Sequence, residues 1–391
     1  MFITALGIAQ IGSWGSLYYS FPLIAEAMGS DLGWARDQLY GAVTLGLLLS
    51  AAAAYPVGSA IDRGYGRAVM AGGSILAGIL MLGWSQVSSV WAFYALFAGI
   101  GCLQAATLYD PVFAVIVRRV GAVDARRGIT ALTLFGGFAS TVFVPLIQLL
   151  LDQMGWRGTL VTLGLINILL CGILYGTAIQ PGKDVRVEPK RGSATDHKTI
   201  RWALGNPVFW ALVIALVAYA ATFAAFTFHL YPLLLERGLS TQHVVWVMAC
   251  IGPAQVAGRV AIWVLAPRAS VKGIGVVMVG IFPLLFLGIA LLPPAVWILA
   301  GLAILFGGTN GVMTIVRGMV VPEMLSKDAY GSLNGLLTAP GTIARALAPA
   351  GAATLWTLTG NYDAVVVALM AGSMLLALGF WWAARLTPIH S

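Results

Sequence analysis

Charged side chains make up only 9% of the 391 residues, whereas 60% are hydrophobic. A soluble domain carries about 25% charged and about half apolar residues, so this chain has too little polar surface to enclose itself in water. The three cysteines, Cys102, Cys171 and Cys250, fall inside apolar stretches with no paired spacing. That excludes a disulfide framework and reads them as small buried residues. Four scattered histidines do not make a metal site. HExxH, CxxC, Walker A and GxSxG patterns are all missing, so neither an enzyme nor a cofactor is expected.

What the chain does have is long apolar runs, and a bilayer-spanning helix needs about 20 mainly apolar residues. In the first half such runs extend over Ile3–Met28, Leu39–Ala60, Ala68–Gln86, Val90–Val117, Gly128–Leu151 and Thr159–Ile179. In the second half they extend over Pro207–Leu235, Gln242–Ala266, Gly273–Leu292, Ala295–Val321, Ser332–Leu358 and Tyr362–Ala384. The expected fold is therefore an all-α membrane protein of twelve transmembrane helices. The first run loosely offers Ala25, Glu26 and Ala27 as a cleavage site. It has no basic n-region and far exceeds the 7–15 residues of a signal h-region, so it reads as a membrane helix.

Charge placement orients the helices. With the first helix leaving the cytoplasm, Arg63, Arg67, Arg118, Arg119, Arg126, Arg127, Arg268, Lys272, Lys327, Arg385 and the basic residues of 183–201 all lie on the inner side. Arg36, Arg157 and Arg237 lie on the outer side. This positive-inside bias predicts cytoplasmic termini in a bacterial-type inner membrane. The net charge of +8 is then explained by the anionic leaflet, with no nucleic-acid partner.

The longest polar interruption, residues 181–206, contains Pro181, Gly182, Pro189 and Gly192 among mixed charges. It reads as a linker joining a six-helix bundle of residues 1–180 to a second of residues 207–391. A weak internal repeat supports the division. Asp62-Arg63 and Gly66-Arg67 follow the second run, and Pro267-Arg268 follows the eighth, at the equivalent place. Secondary transporters commonly carry such repeats, with substrate sites near the midplane between them.

Three arginines, Arg259, Arg317 and Arg345, lie within the apolar runs. Each costs roughly 2.5–3.5 kcal/mol at the bilayer centre on insertion scales, so it should face protein or a watery cavity.

Gly58-x-x-x-Asp62-Arg63 followed by Gly66-Arg67 resembles the loop signature of the major facilitator superfamily, with one extra residue between Arg and Gly. Gly12-Ser13-Trp14-Gly15, Arg126-Arg127-Gly128-Ile129 and Gly258-Arg259 are similar to the monocarboxylate porters and their bacterial relatives, the oxalate:formate antiporters. Ile11 departs from the acid those porters carry, and Gln255 stands where many have an Asp one turn before the helix-8 Arg. The resemblance implies alternating access by the rocking of two halves. It implies a gate in which Asp62 pairs with Arg118 or Arg127, with Arg63 and Arg67 beside it, and it implies basic anion ligands on helices 8 and 11.

Within that frame, Arg259 and Arg345 are the expected carboxylate ligands, since a guanidinium bonds a carboxylate in a bidentate manner. Gln255 lies one turn from Arg259, and Asn334 and Thr338 share a face with Arg345. Arg317 lies nearer a helix end and is expected to snorkel or to pair with Glu323 in a gate role. Asp110 is expected to be buried in a helix, where desolvation would let it carry a coupling proton or neutralise an arginine. His229 is a second candidate for coupling or substrate contact. Tyr18, Tyr19 and Asn310 would offer further donors to a small polar ligand; the tyrosines read equally as an interfacial belt.

The expected function is secondary-active transport of a small organic anion, a mono- or dicarboxylate, by proton coupling or anion exchange. The expected partners are the substrate, protons and the bilayer, with the chain acting as a monomer. The alternatives are proton-driven efflux of hydrophobic or cationic compounds and a non-transporting receptor. Ala95, where drug antiporters of the resembled superfamily carry an Arg, and Pro145 between Val144 and Leu146 argue against efflux.

Overall fold

In the computed structural model almost every stretch is helical, because intrahelical bonds satisfy every backbone polar group that lipid would leave bare. The structure describes residues 2–183, 201–265, 269–325 and 330–387. Within these, the side chains of Tyr55, Asp62, residues 121–127, Thr130, Pro181, Trp263, Pro322, residues 330–332, Asn334 and Gly335 fall outside the description. Two compact units divide the chain, Met1–Glu188 and Pro189–Ser391.

Among the described residues nine stretches are long and apolar enough to cross a bilayer. One of them, Ala131–Ala178, runs for 48 residues and must hold two crossings. Phe143 fills the space beside Gly15, and Asn167 Nδ2 donates to Ser16 Oγ at 2.6 Å. A straight helix would hold residues 143 and 167 about 36 Å apart. The reversal lies at Gly155, whose φ of 67° and ψ of −179° are non-helical. The element Tyr109–Gly137 also doubles back, since Ile116 packs at Gly128 and Tyr109 at Gly136. With Phe2–Leu32 and Tyr330–Thr359, the crossings follow the twelve apolar runs.

Each unit pairs its helices in the same pattern. In the first unit the first crossing packs on the fifth, the second on the fourth and the third on the sixth; in the second unit the seventh packs on the eleventh, the eighth on the tenth and the ninth on the twelfth. Glycine sets the closeness of the second-with-fourth and eighth-with-tenth pairs. A Cβ at Gly101 would lie 2.1 Å from the Gly46 carbonyl oxygen, and one at Gly258 would lie 2.4 Å from that of Gly308. Small residues permit this approach where lipid supplies no hydrophobic drive between helices. Outward faces carry large apolar groups such as Trp91, Trp297, Leu284 and Leu291, as lipid contact requires.

The first and fourth crossings of the first unit are interrupted, and the sixth takes a π-helical turn of its own at Ile166–Cys171. The first crossing runs Phe2–Trp14, makes a π-helical turn over Gly15–Tyr19, and resumes over Phe21–Leu32. Pro22 has no N–H to return to the Tyr18 carbonyl, and the wider turn absorbs that missing bond. The fourth crossing breaks at Leu108, which takes φ −85° and ψ −151° between Val90–Thr107 and the helix that begins at Tyr109.

Candidate functional site

The second unit gathers its three intramembrane arginines around one phenol. Tyr219 lies in the seventh crossing, Pro207–Glu236, and is only 4% exposed. Its ring stacks on Phe223 and meets Phe282 edge-on, and Phe306 completes the aromatic bed. Its hydroxyl donates to Asn310 Oδ1 on the tenth crossing, Val296–Val320. The Arg317 guanidinium, also on the tenth crossing, lies over the Tyr219 ring with its central carbon 5.4 Å from the centroid. That range suits a cation–π contact. Arg317 also interacts with the hydroxyl, and the charges of Arg345 and Arg259 act on the same oxygen. Three crossings of one unit thus bring three positive charges to bear on a neutral group carried by a fourth.

Backbone geometry places Arg259. The eighth crossing, Thr241–Ala249 continuing as Ile251–Leu265, lies so close to the tenth that a Cβ at Gly311 would come within 2.2 Å of the Gln255 carbonyl oxygen. Across this contact Arg259 Nε donates to the Gly311 carbonyl at 3.3 Å, and Thr314 Oγ1 donates to the same oxygen at 2.6 Å. Gln255 is buried. On the eleventh crossing Pro340 and Pro349 bracket Arg345. Pro349 carries no N–H, which frees the Arg345 carbonyl from its helical partner.

Several expected placements are corrected. Arg317 does not pair with Glu323: Glu323 Oε2 accepts from the Val271 backbone N–H at 2.9 Å, capping the ninth crossing, and Arg317 turns to Tyr219 instead. Asp110 is exposed rather than buried, because the break at Leu108 puts it in the first turn of a new helix, among unbonded N–H groups. His229 is fully buried, with Nδ1 2.8 Å from the Tyr362 hydroxyl and Nε2 2.8 Å from the Pro349 carbonyl. A carbonyl only accepts, so Nε2 holds the proton and Nδ1 accepts from Tyr362. The histidine therefore ties the seventh, eleventh and twelfth crossings together. Tyr18 is buried against Trp14 and Tyr19 in an aromatic cluster that continues to Tyr109.

At the expected gate, Ile61–Tyr65 forms a π-turn with Gly64 in the left-handed region at φ 96°. The extra residue of the loop motif is accommodated here. Arg118 reaches this turn, its Nη2 3.6 Å from the point a Gly64 Cβ would occupy. Arg63 and Arg67 are exposed. The side chains of Asp62, Arg127 and Asn334 lie outside the described residues, as do most of the linker, Arg268 and Lys327.

The first unit holds a polar core that the sequence reading did not single out. Gln10 Nε2 donates to the carbonyls of Thr107 and Leu108 at 2.7 and 3.3 Å and to the Tyr175 hydroxyl at 2.8 Å. Ser13 lies 3.0 Å from the same hydroxyl. These bonds cover carbonyls that the break in the fourth crossing releases. Gln104 Nε2 donates to the Leu17 carbonyl at 2.7 Å within the π-turn of the first crossing. Spacing does signal part of this core: Gln10, Ser13, Ser16 and Ser20 recur at helical intervals. Tyr219, in contrast, sits among apolar neighbours without any such stripe.

Comparison with known proteins agrees with this architecture. The human monocarboxylate transporter 11 is 28% identical over 386 residues, covering 93% of this chain and 77% of that protein. The bovine monocarboxylate transporter 13 is 26% identical over 388 residues, covering 96% and 85%. Among solved structures, the nucleoside transporter NupG superposes with a TM-score of 0.77 at 14% identity, covering 98% of each chain. A bacterial homolog of the human lysosomal transporter Spinster, inward-facing and unoccupied, gives 0.72 at 14% identity, covering 99% and 97%. The sequence pattern of the Major Facilitator Superfamily matches residues 6–349. The twelve crossings among the described residues, paired alike within two units, that match and the distant homology to monocarboxylate transporters converge: the chain belongs to the Major Facilitator Superfamily and is a membrane transporter rather than an enzyme.

Proposed function

We propose that this secondary transporter carries a small organic anion, a mono- or dicarboxylate, by alternating access. The observation that supports this reading best is that Arg317 lies over the Tyr219 ring and Arg259 reaches the Gly311 carbonyl of the same tenth crossing, with the charge of Arg345 acting on the same phenol. Three guanidinium groups within one unit of a membrane protein form a field that favours a carboxylate, and each can bind it through paired N–H donors. Similarity to the monocarboxylate transporters 11 and 13 points the same way.

Arg259 and Arg345 are the primary ligands in this proposal, with Gln255 and Asn310 holding the backbone and phenol around them. Asp110, exposed at a helix break, takes the coupling proton if the transporter is proton-coupled. The loop of Asp62 and Arg63, with Arg67, Arg118 and Arg127, serves as the gate. The membrane is a bacterial-type inner membrane with both chain ends in the cytoplasm.

The test is uptake of labelled carboxylates by purified protein in liposomes under a pH gradient. Saturable uptake that is lost in Arg259→Ala and in Arg345→Ala supports the proposal. Full transport by both variants overturns the anion site.

A further inference from the structure

The arginine assigned to the gate from its position along the sequence stands instead at the anion cluster, and its partner there is unusual. Arg317 meets the ring and hydroxyl of Tyr219, a neutral group, while the described acids of the same unit, Glu323, Glu236 and Asp363, are committed elsewhere. Glu323 caps the helix at Val271; Glu236 accepts from Trp356 Nε1 at 2.7 Å and from the Tyr362 N–H; Asp363 pairs with Arg237 at 2.8 Å. Because Tyr219 gives its proton to Asn310, its oxygen has only lone pairs left to offer the guanidinium that lies over its ring. The phenol acts as a neutral acceptor in the place where a carboxylate oxygen would bind more strongly.

A charge-assisted bond to a carboxylate is about twice as strong as one to a neutral oxygen. An incoming carboxylate therefore displaces the tyrosine from Arg317. A substrate with one carboxylate, held by Arg259 and Arg345, has no second group to make this exchange.

We infer that Arg317 is a third substrate ligand, with Tyr219 as its place-holder, and that the transporter is selective for a dicarboxylate whose second carboxylate takes the place of the phenol. This inference rests on the organic-anion reading and narrows it. Asn310 is then a positioning residue, fixing the direction in which the phenol donates.

The experiment compares labelled succinate with labelled propionate in proteoliposomes. Wild-type protein should prefer succinate. Arg317→Gln should weaken the apparent affinity for succinate by about tenfold, the cost of one lost charge-assisted contact of ~1.4 kcal/mol, a larger loss than it causes for propionate, which keeps its two primary ligands. Tyr219→Phe keeps the ring and removes the competing oxygen, so it should tighten succinate, a gain that a purely structural tyrosine would not give. Propionate preferred by the wild type, equal losses for both acids in Arg317→Gln, or weaker succinate binding in a well-folded Tyr219→Phe each overturn the inference. If only propionate is carried, the organic-anion reading stands and this inference falls. If neither acid is carried, both fall.

Discussion

The backbone carbonyl of Gln255 occupies the space that a side chain at Gly311 would need, 2.2 Å from the position of its Cβ. The obstructing atom belongs to a helix backbone, so it cannot swing aside as a flexible side chain would. This contact also delivers Arg259 to the Gly311 carbonyl, so seam and site depend on one another. Gly311→Ala should therefore lower stability by about 1–3 kcal/mol through overpacking and weaken transport with it. Gly318→Ala, where a Cβ meets nothing within 4 Å, is the control. Thermal unfolding in detergent reads the difference, and equal melting temperatures for the two variants refute the prediction.

Arg259→Lys keeps the positive charge but loses the Nε donor and the planar fork. Lysine is a point charge and cannot bond the Gly311 carbonyl and a carboxylate with the same geometry. The apparent affinity for the transported anion should fall by roughly tenfold, about 1.4 kcal/mol. A Michaelis constant within twofold of the wild type would show that charge alone suffices at this position.

Gln10→Leu removes the donor that covers the Thr107 and Leu108 carbonyls at the break in the fourth crossing. Leaving a buried acceptor without its bond costs about 1–3 kcal/mol, and Tyr175, 3.3 Å from the Thr107 carbonyl, replaces only part of it. The melting temperature should drop in Gln10→Leu and drop further when Tyr175→Phe is added. An unchanged double variant would mean that the carbonyls find other partners.

His229 and Asp110 separate in a pH experiment. His229→Phe removes two buried hydrogen bonds and should cost stability while leaving the pH profile of uptake in place. Asp110→Asn should flatten that profile with little change in melting temperature, because the side chain is exposed. The reverse pattern would move the proton to the histidine.

Much of the fold was legible in the sequence, because run length and the scarcity of charge are one-dimensional properties. The twelve runs and the membrane setting both rest on them. What stayed hidden was rotational and cross-chain. Arg317 lies near the end of its run, so counting residues suggested snorkelling; only the stacking of the seventh crossing on its neighbours puts Tyr219 within its reach. Asp110 reads as lying inside a continuous helix, although the neighbouring Pro111, which has no N–H for the Thr107 carbonyl four residues before it, marks the break. The carbonyls opened there are answered by Gln10 and Tyr175, 97 and 68 residues away from Thr107. His229 likewise found both partners more than 100 residues away. Pro22 was a like mark of the interruption in the first crossing.

The glycine contacts of Gly46 with Gly101 and of Gly258 with Gly308 bring main chain against main chain in each unit. Side-chain interfaces can settle into alternative rotamer sets, each a different resting arrangement of the same two helices. A seam of bare peptide has no rotamers and so offers one registry. The second and fourth crossings, and the eighth and tenth, should each behave as a stiff doublet, so that strain introduced at one member appears undiminished in the other. Compliance is then left to the interrupted helices, where the π-turn at Gly15–Tyr19, the break at Leu108 and the paired prolines around Arg345 lower the resistance to bending.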